Sequence, residues 1–356
     1  MALVLGLAGM LWGIGALMGA PARLRQGMIG MLWLVVLGLH LFLPDGHPLR
    51  LATGESPALW LMIGGAVAVV LIYRAGLRHL RARARAREVV PPPTRAGTFS
   101  EPELERYARH MVLREIGGPG QKRLKEARVL VIGAGGLGSP ALIYLAASGV
   151  GTLGIIDPDE VDFSNLQRQI IHSDARVHMP KVHSAAEAIA ALNPYVNLRP
   201  YQRRLTREIA ADLFAEYDIV LDGTDNFGTR YISNAAAVSL GIPLVSGALA
   251  QWEGQISVFD PARGGPCYQC VFAQAPDPAL APSCAEAGVV SPLTGVIGSM
   301  MAVETIKLIT GAGTPLRGRM LIYDALHGET RLFNVTRRAD CPVCGQTGDA
   351  DEPAFV

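Results

Sequence analysis

The feature that most constrains the fold of this chain is Gly133-Ala134-Gly135-Gly136-Leu137-Gly138, set between the β-branched run Arg128 to Ile132 and the helical stretch Pro140 to Ala147. A strand that passes through a glycine turn into a helix is one step of an alternating architecture, and the alternation continues. Leu153 to Asp157 reads as the next strand, Lys181 to Leu192 and Thr206 to Ala215 as helices, and Asp218 to Asp222, Leu244 to Gly247 and Ile256 to Phe259 as further strands. The pattern predicts an α/β domain over residues 100–356: a Rossmann-like, doubly wound, mainly parallel sheet covered by helices on both faces. The stretch Leu293 to Ile309 is apolar enough to suggest a membrane span. Glu304 and Lys307 interrupt it, so a buried or amphipathic helix is expected there.

The chain ahead of this domain has a different character. Three stretches free of Asp, Glu, Lys and Arg open it, near residues 2–18, 28–43 and 58–73. Each is slightly shorter than the roughly 20 residues of an average transmembrane helix, and together they predict a membrane region over residues 1–90. A cleaved signal peptide fits poorly, because no basic segment precedes the first stretch and further apolar segments follow. Arg23 and Arg25 lie between the first two stretches, and Arg78, Arg81, Arg83, Arg85 and Arg87 follow the third. The positive-inside rule then puts both basic segments and the α/β domain on the cytoplasmic side of an inner, multi-pass membrane location. Pro91, Pro92 and Pro93 make residues 91–99 a stiff linker. The whole chain carries a formal charge of +1, so nothing global argues for nucleic acid as a partner.

The glycine turn lets the backbone approach phosphate at a helix N-terminus. Asp157 closes the following strand about 20 residues on, where a carboxylate binds ribose hydroxyls. That pair alone fits any nucleotide enzyme, a nicotinamide dehydrogenase included. Arg168, Lys181 and Asp225 narrow the choice, since they offer two cations for a triphosphate and a hard oxygen ligand for Mg²⁺. Hydride transfer has no need of so many phosphate-facing charges.

Cys267-x-x-Cys270 and Cys341-x-x-Cys344 are two pairs some seventy residues apart, a set that suits tetrahedral Zn²⁺ in a closed structural site. Pro342 and Gly345 fit the tight turn such a pair needs. The fifth cysteine, Cys284, sits in a Pro-, Ala- and Gly-rich stretch. It reads either as an incidental loop residue or as a reactive thiol.

These blocks resemble the HesA/MoeB/ThiF family of adenylyltransferases that activate ubiquitin-like sulfur carriers, the molybdopterin-synthase adenylyltransferase branch most closely. The likeness runs from about Tyr107 to Cys344 and includes Arg106-Tyr-Ala-Arg109, the glycine loop, Ser164-Asn165-Leu166-Gln167-Arg168, Lys181, Asp225-Asn226, Glu253-Gly-Gln and the cysteine pairs. The resemblance implies an ATP site formed by Gly136, Asp157, Ser164, Asn165, Leu166, Gln167, Arg168, Lys181, Asp225 and Asn226. It implies a homodimer in which Arg109 enters the partner's active site. The implied reaction is attack by the C-terminal Gly-Gly carboxylate of a carrier of the molybdopterin-synthase small-subunit type on the α-phosphorus of ATP, giving acyl-adenylate and pyrophosphate. In relatives the cysteine matching Cys284 can take the activated carrier covalently. No sulfurtransferase domain follows the zinc cysteines, so sulfur is expected from a separate protein. A thiamine-type carrier shares every motif above. An RNA-directed relative and a nucleotide sensor without catalysis are the other readings, and the intact set Arg109, Arg168, Lys181 and Asp225 argues against the sensor.

Overall fold

The computed structural model describes residues 2–54, 56–86, 99–275 and 288–345, which leaves most of the expected linker, Arg87 and Cys284 outside it. The chain divides into two compact units, Met1–Pro92 and Pro93–Val356.

The first unit is helical: α1 (Ala2–Leu17), α2 (Ala22–Phe42), the short α3 (Pro48–Thr53) and α4 (Pro57–Ala86). Its interior is small and consists of Val4, Val36 and Trp60 with a few neighbours. Two indoles supply polar ties inside it. Trp60 Nε1 donates to the Thr53 carbonyl at 3.2 Å and Trp33 Nε1 to the Trp60 carbonyl at 3.0 Å. Many of the other described apolar side chains face outward, Leu34, Phe42, Val69 and Ile72 among them. Leu24–Phe42 in α2 and Trp60–Leu77 in α4 are long and apolar enough to cross a membrane, and only 11% and 6% of them is buried. At 16 residues α1 rises only about 24 Å, short of the ~30 Å hydrocarbon layer. The arginine run after the third apolar stretch does not start a new segment. Up to Ala86 it continues α4 without a break.

The second unit starts with α5 (Glu101–Met111) and α6 (Gly117–Glu126). A capping box starts α5: Ser100 is the cap and Glu103 accepts its backbone N–H at 2.9 Å. Then β1 (Arg128–Ile132), α7 (Gly138–Ala147), β2 (Thr152–Ile156), α8 (Lys181–Leu192), β3 (Asn197–Tyr201), α9 (Arg207–Phe214), β4 (Ile219–Asp222) and α10 (Phe227–Leu240) alternate. They are followed by β5 (Leu244–Leu249), β6 (Glu253–Phe259), α11 (Tyr268–Val271), α12 (Ser291–Thr310), β7 (Arg319–Asp324) and β8 (Glu329–Asn334).

The strands form one sheet in the order β3-β2-β1-β4-β5-β6-β7-β8. The five strands β1 to β5 are parallel, whereas β6, β7 and β8 add antiparallel. The expectation of a mainly parallel sheet therefore holds for five of the eight strands, and the antiparallel extension through β6 to β8 departs from it. The β7–β8 hairpin escaped it because β8 is exposed along all six residues and lacks an alternating apolar signal. Along β1, side chains alternate between the faces: Val129 and Val131 join Leu142, Leu145, Val182 and Ile297 on one side. Leu130 and Ile132 join Leu213, Phe214 and Ala236 on the other. Helix α12 is half buried, with Leu293, Ile297 and Met301 in the core against α7 and the β5–β6 pair.

Candidate nucleotide and thiolate sites

Strand β1 lies between β2 and β4, so the chain winds outward to β3 and then crosses back to start β4. The loops after β1, β2 and β4 meet at this switch point, where an open α/β sheet leaves a crevice. A cavity of about 720 Å³ lies there, lined by the glycine loop, Asp157, Arg168, Lys181 and Gly223 to Asn226. Gly133 has φ +90°, and a Cβ on Gly138 would sit 1.9 Å from the Gly133 carbonyl oxygen. The turn closes only with glycine at both places.

Asp157 is 5% exposed and binds backbone with both oxygens. Oδ2 accepts the Ala134 N–H and Oδ1 the Asp159 N–H, each at 2.8 Å. Burial raises the pKa of its carboxyl, against the pull of Lys181. Lys181 begins α8, nearly buried, with Nζ 3.0 Å from Asp159 Oδ2. The Ser164–Arg168 block begins within a short 3-10 turn, Phe163–Asn165, capped by Asp162, which accepts the Ser164 N–H at 2.8 Å. Asn165 Oδ1 accepts from Arg168 Nη2 at 2.7 Å and so steers the guanidinium toward the cavity. Asn226 caps α10 by accepting the Thr229 N–H at 2.9 Å, beside Asp225.

Of the expected ATP-site residues, Gly136, Asp157, Arg168, Lys181, Asp225 and Asn226 line the cavity. Ser164, Leu166 and Gln167 stand outside its lining, and Asn165 reaches it through Arg168. Arg109 is on the exposed side of α5, away from the cavity of its own chain. Cys284 falls outside the described residues.

Sequence reasoning missed several residues here. Arg203 and Arg204, after β3, add two cations to the lining. Arg230 is buried, with Nη1 donating to Ser246 Oγ at 3.0 Å and Nη2 to the carbonyls of Gly247 at 2.6 Å and of Thr224. Its position four residues after Asn226 on one helix face was the available signal. Tyr268 and Phe272 complete an apolar wall that no motif announced.

The four cysteines converge on a second point. Their sulfurs all lie within 4.8 Å of one another, with Cys267–Cys341 at 3.6 Å, Cys270–Cys344 at 3.3 Å and Cys267–Cys270 at 3.8 Å. Tetrahedral bonds of roughly 2.3 Å to one zinc ion would set such edges at about 3.8 Å. No disulfide joins them. A Cβ on Gly345 would lie 2.5 Å from the Cys341 carbonyl, so the turn after the last pair requires glycine. Burial pushes the Cys267 thiol up and the Cys344 thiol up to about 11. Burial acts the same way on Cys341, but the backbone N–H groups of Cys344 and Val343, together with hydrogen bonds from the Cys267 and Cys270 thiols, outweigh it and bring that thiol down to about 7. A divalent metal removes the cost of the charged forms, because it binds thiolates directly. The donor set and its spacing fit a closed four-thiolate metal site. Cys267 is the N-cap of α11 and Cys270 lies within that helix, whose Tyr268 and Val271 also line the cavity.

Fold and sites together define a nucleotide-binding α/β protein with a phosphate-type glycine loop and a thiolate cluster behind one cavity wall. More narrowly, the chain belongs to the ThiF family, whose model matches residues 107–343. It is 48% identical over 259 residues to the sulfur carrier protein adenylyltransferase of Thermus thermophilus, covering 72% of this chain and 94% of that one. The SAMP-activating enzyme E1 of Haloferax volcanii is 45% identical, over 69% of this chain and 90% of its own length. The probable adenylyltransferase/sulfurtransferase MoeZ of Mycobacterium tuberculosis is 48% identical over 72% of this chain, which spans 66% of MoeZ. Among solved structures, Escherichia coli MccB with ATP shares the fold at a TM-score of 0.59 and 21% identity, over 67% of this chain and 74% of MccB.

Proposed function

We propose that this chain is a membrane-held adenylyltransferase that uses ATP to activate the C-terminal Gly-Gly carboxylate of a ubiquitin-like sulfur carrier, of the molybdopterin-synthase small-subunit type. The carrying observation is the cavity at the sheet's switch point, where Arg168, Lys181, Arg203 and Arg204 face Asp157 and Asp225 beside a phosphate-type loop. The naming of the Thermus relative as a sulfur carrier protein adenylyltransferase supports the same reading.

In the proposed step a carrier carboxylate oxygen attacks the α-phosphorus in line. The bond from that phosphorus to the bridging oxygen breaks, and pyrophosphate leaves with the electron pair. No proton moves, because the carboxylate is already ionised at neutral pH. The barrier is the approach of two anions, so neutralisation and alignment do most of the catalysis. Arg168 and Lys181 meet the triphosphate, and Arg109 is assigned to the neighbouring subunit's site in a homodimer. Asp225 would hold Mg²⁺, which supplies further neutralisation of phosphate charge. The four thiolates would hold Zn²⁺ as a structural ion. The apolar surfaces of α2 and α4 support a location in the cytoplasmic membrane, with the α/β unit on its inner side.

ATP–pyrophosphate exchange with each candidate carrier of the same organism tests this. Exchange should require a carrier ending in Gly-Gly and should disappear in Arg168→Ala. ATP binding without carrier-dependent exchange would sink the proposal, and exchange with a thiamine-type carrier alone would reassign the pathway. Co-expressed Arg109→Ala and Arg168→Ala subunits should recover part of the activity, since one of the two sites in a mixed dimer is intact. Carbonate-resistant sedimentation with membranes tests the anchoring.

A further inference from the structure

The glycine loop has a support that the proposed mechanism does not use. His172 is 8% exposed, in the turn that follows Gln169. Its Nε2 lies 2.9 Å from the Ala134 carbonyl oxygen and its Nδ1 2.9 Å from Ser184 Oγ. A carbonyl only accepts, so the proton is on Nε2. The bare Nδ1 must then accept, and the Ser184 hydroxyl donates to it. One neutral tautomer satisfies both contacts.

We propose that His172, held as the Nε2–H tautomer by Ser184, is a positioning residue that fixes the glycine loop for nucleotide binding. Ala134 is clamped on both sides: its N–H donates to Asp157 Oδ2 at 2.8 Å, and its carbonyl accepts from His172 Nε2–H at 2.9 Å. The peptide group is planar and trans, so fixing the Ala134 carbonyl also fixes the Gly135 N–H pointing the opposite way. Gly135 lines the cavity. Without these clamps a loop this rich in glycine would sample many peptide orientations, and binding a phosphate would have to select one. Ser184 sits three residues after Lys181 on α8, so the loop and the lysine share one hydrogen-bonded frame. Burial lowers the His172 pKa, the bond to Ala134 opposes this, and the nearby cations Lys181 and Arg176 add to the lowering. The imidazole therefore stays neutral under ordinary conditions.

This inference rests on the nucleotide reading above, and its test separates the two. ATP binding is measured on the detergent-solubilised full chain for wild type, His172→Phe, His172→Gln and Ser184→Ala. Phenylalanine removes the nearer donor to the Ala134 carbonyl, leaving it only the long 3.5 Å contact from the Ser139 hydroxyl, and should weaken ATP binding about tenfold, the usual scale for a buried hydrogen bond left unmade. The loss should appear in KM for ATP rather than in kcat or in KM for the carrier. Glutamine can donate from its side-chain amide and should recover most of the affinity. Ser184→Ala should weaken binding by a smaller factor. Selective ¹⁵N-histidine NMR, assigned by difference with His172→Gln, should show a protonated Nε2 and a bare Nδ1.

A folded His172→Phe chain with wild-type ATP affinity would overturn the proposal, as would an Nδ1–H tautomer in the wild type. If His172→Phe does not fold, the glutamine rescue and the tautomer decide. If the wild type itself binds no ATP, the nucleotide reading fails, while the NMR result still judges the contact to Ala134.

Discussion

Helices α4 and α12 carry nearly the same local signal, apolar stretches of 18 and 20 residues, in opposite surroundings. In α4 the stretch Trp60–Leu77 is 6% buried, whereas α12 is half buried within the α/β unit. Their polar residues explain the difference better than their hydropathy. In α12, Glu304 Oε2 accepts the Leu316 N–H at 2.8 Å, and Thr294, Thr305 and Thr310 return hydroxyl bonds to the carbonyls of Ser291, Met301 and Ile306. A buried carboxylate whose partner lies on another segment belongs to a protein interior. The apolar run of α4 has no carboxylate, and its side chains present a surface suited to lipid.

The largest test of this contrast is a matched pair of substitutions. Ile297→Asp puts a charge at a fully buried position of α12 and should cost more than about 4 kcal/mol, leaving no cooperative unfolding of the α/β unit by calorimetry. Ile72→Asp, at a position 71% exposed, should leave that transition in place and reduce membrane integration instead. Equal effects of the two would remove the distinction between the helices. Next in size is Cys341→Ser, which should abolish metal binding by elemental analysis, destabilise the α/β unit alone by about 4 kcal/mol and lower its Tm accordingly.

A smaller effect is expected from Glu304→Ala. It strands the Leu316 N–H and breaks the pair with Lys307 Nζ, for a loss of about 1–3 kcal/mol by chemical denaturation. The smallest concerns pH. The folded state holds His172 neutral, so its pKa lies below the ordinary 6.5. Its stabilisation is present above about 6.5 and declines as pH falls below that value, because the unfolded chain then binds the proton more readily. His172→Gln should flatten this acid limb in a Tm-against-pH series. An unchanged limb would mean that other groups produce it.

The sequence carried four of the five parallel strands well, because each of those four is a short apolar run ended by a turn, whereas β3, Asn-Leu-Arg-Pro-Tyr, has no β-branched residue and was not expected. Strand β1 and helix α8 match their expected bounds. Strand β8 was not legible, since an exposed edge strand carries no apolar alternation. The site was legible where chemistry and motif coincide, as at Gly136, Asp157, Arg168, Lys181 and Asp225. Arg203, Arg204 and His172 were not, because what makes them relevant is the meeting of loops far apart in the chain. Arg204, for example, is 68 residues past Gly136 yet lines the same cavity. Within the Ser164–Arg168 block, the structure divides one motif into a residue that faces the cavity and another, Asn165, that aims it.

The thiolate cluster also has a mechanical consequence. Strand β8 is exposed along all six residues and pairs only with β7 among the described strands, so a pull on it alone would peel it one bond at a time. A pull on the chain beyond residue 345 reaches Cys344 and Cys341 first. With the proposed metal bound, that force passes to Cys267 and Cys270 at the start of and within α11, which packs against α10, and bypasses β8. An unfolding machine that pulls on this end would have to break metal–sulfur bonds before it met the weakest edge of the sheet.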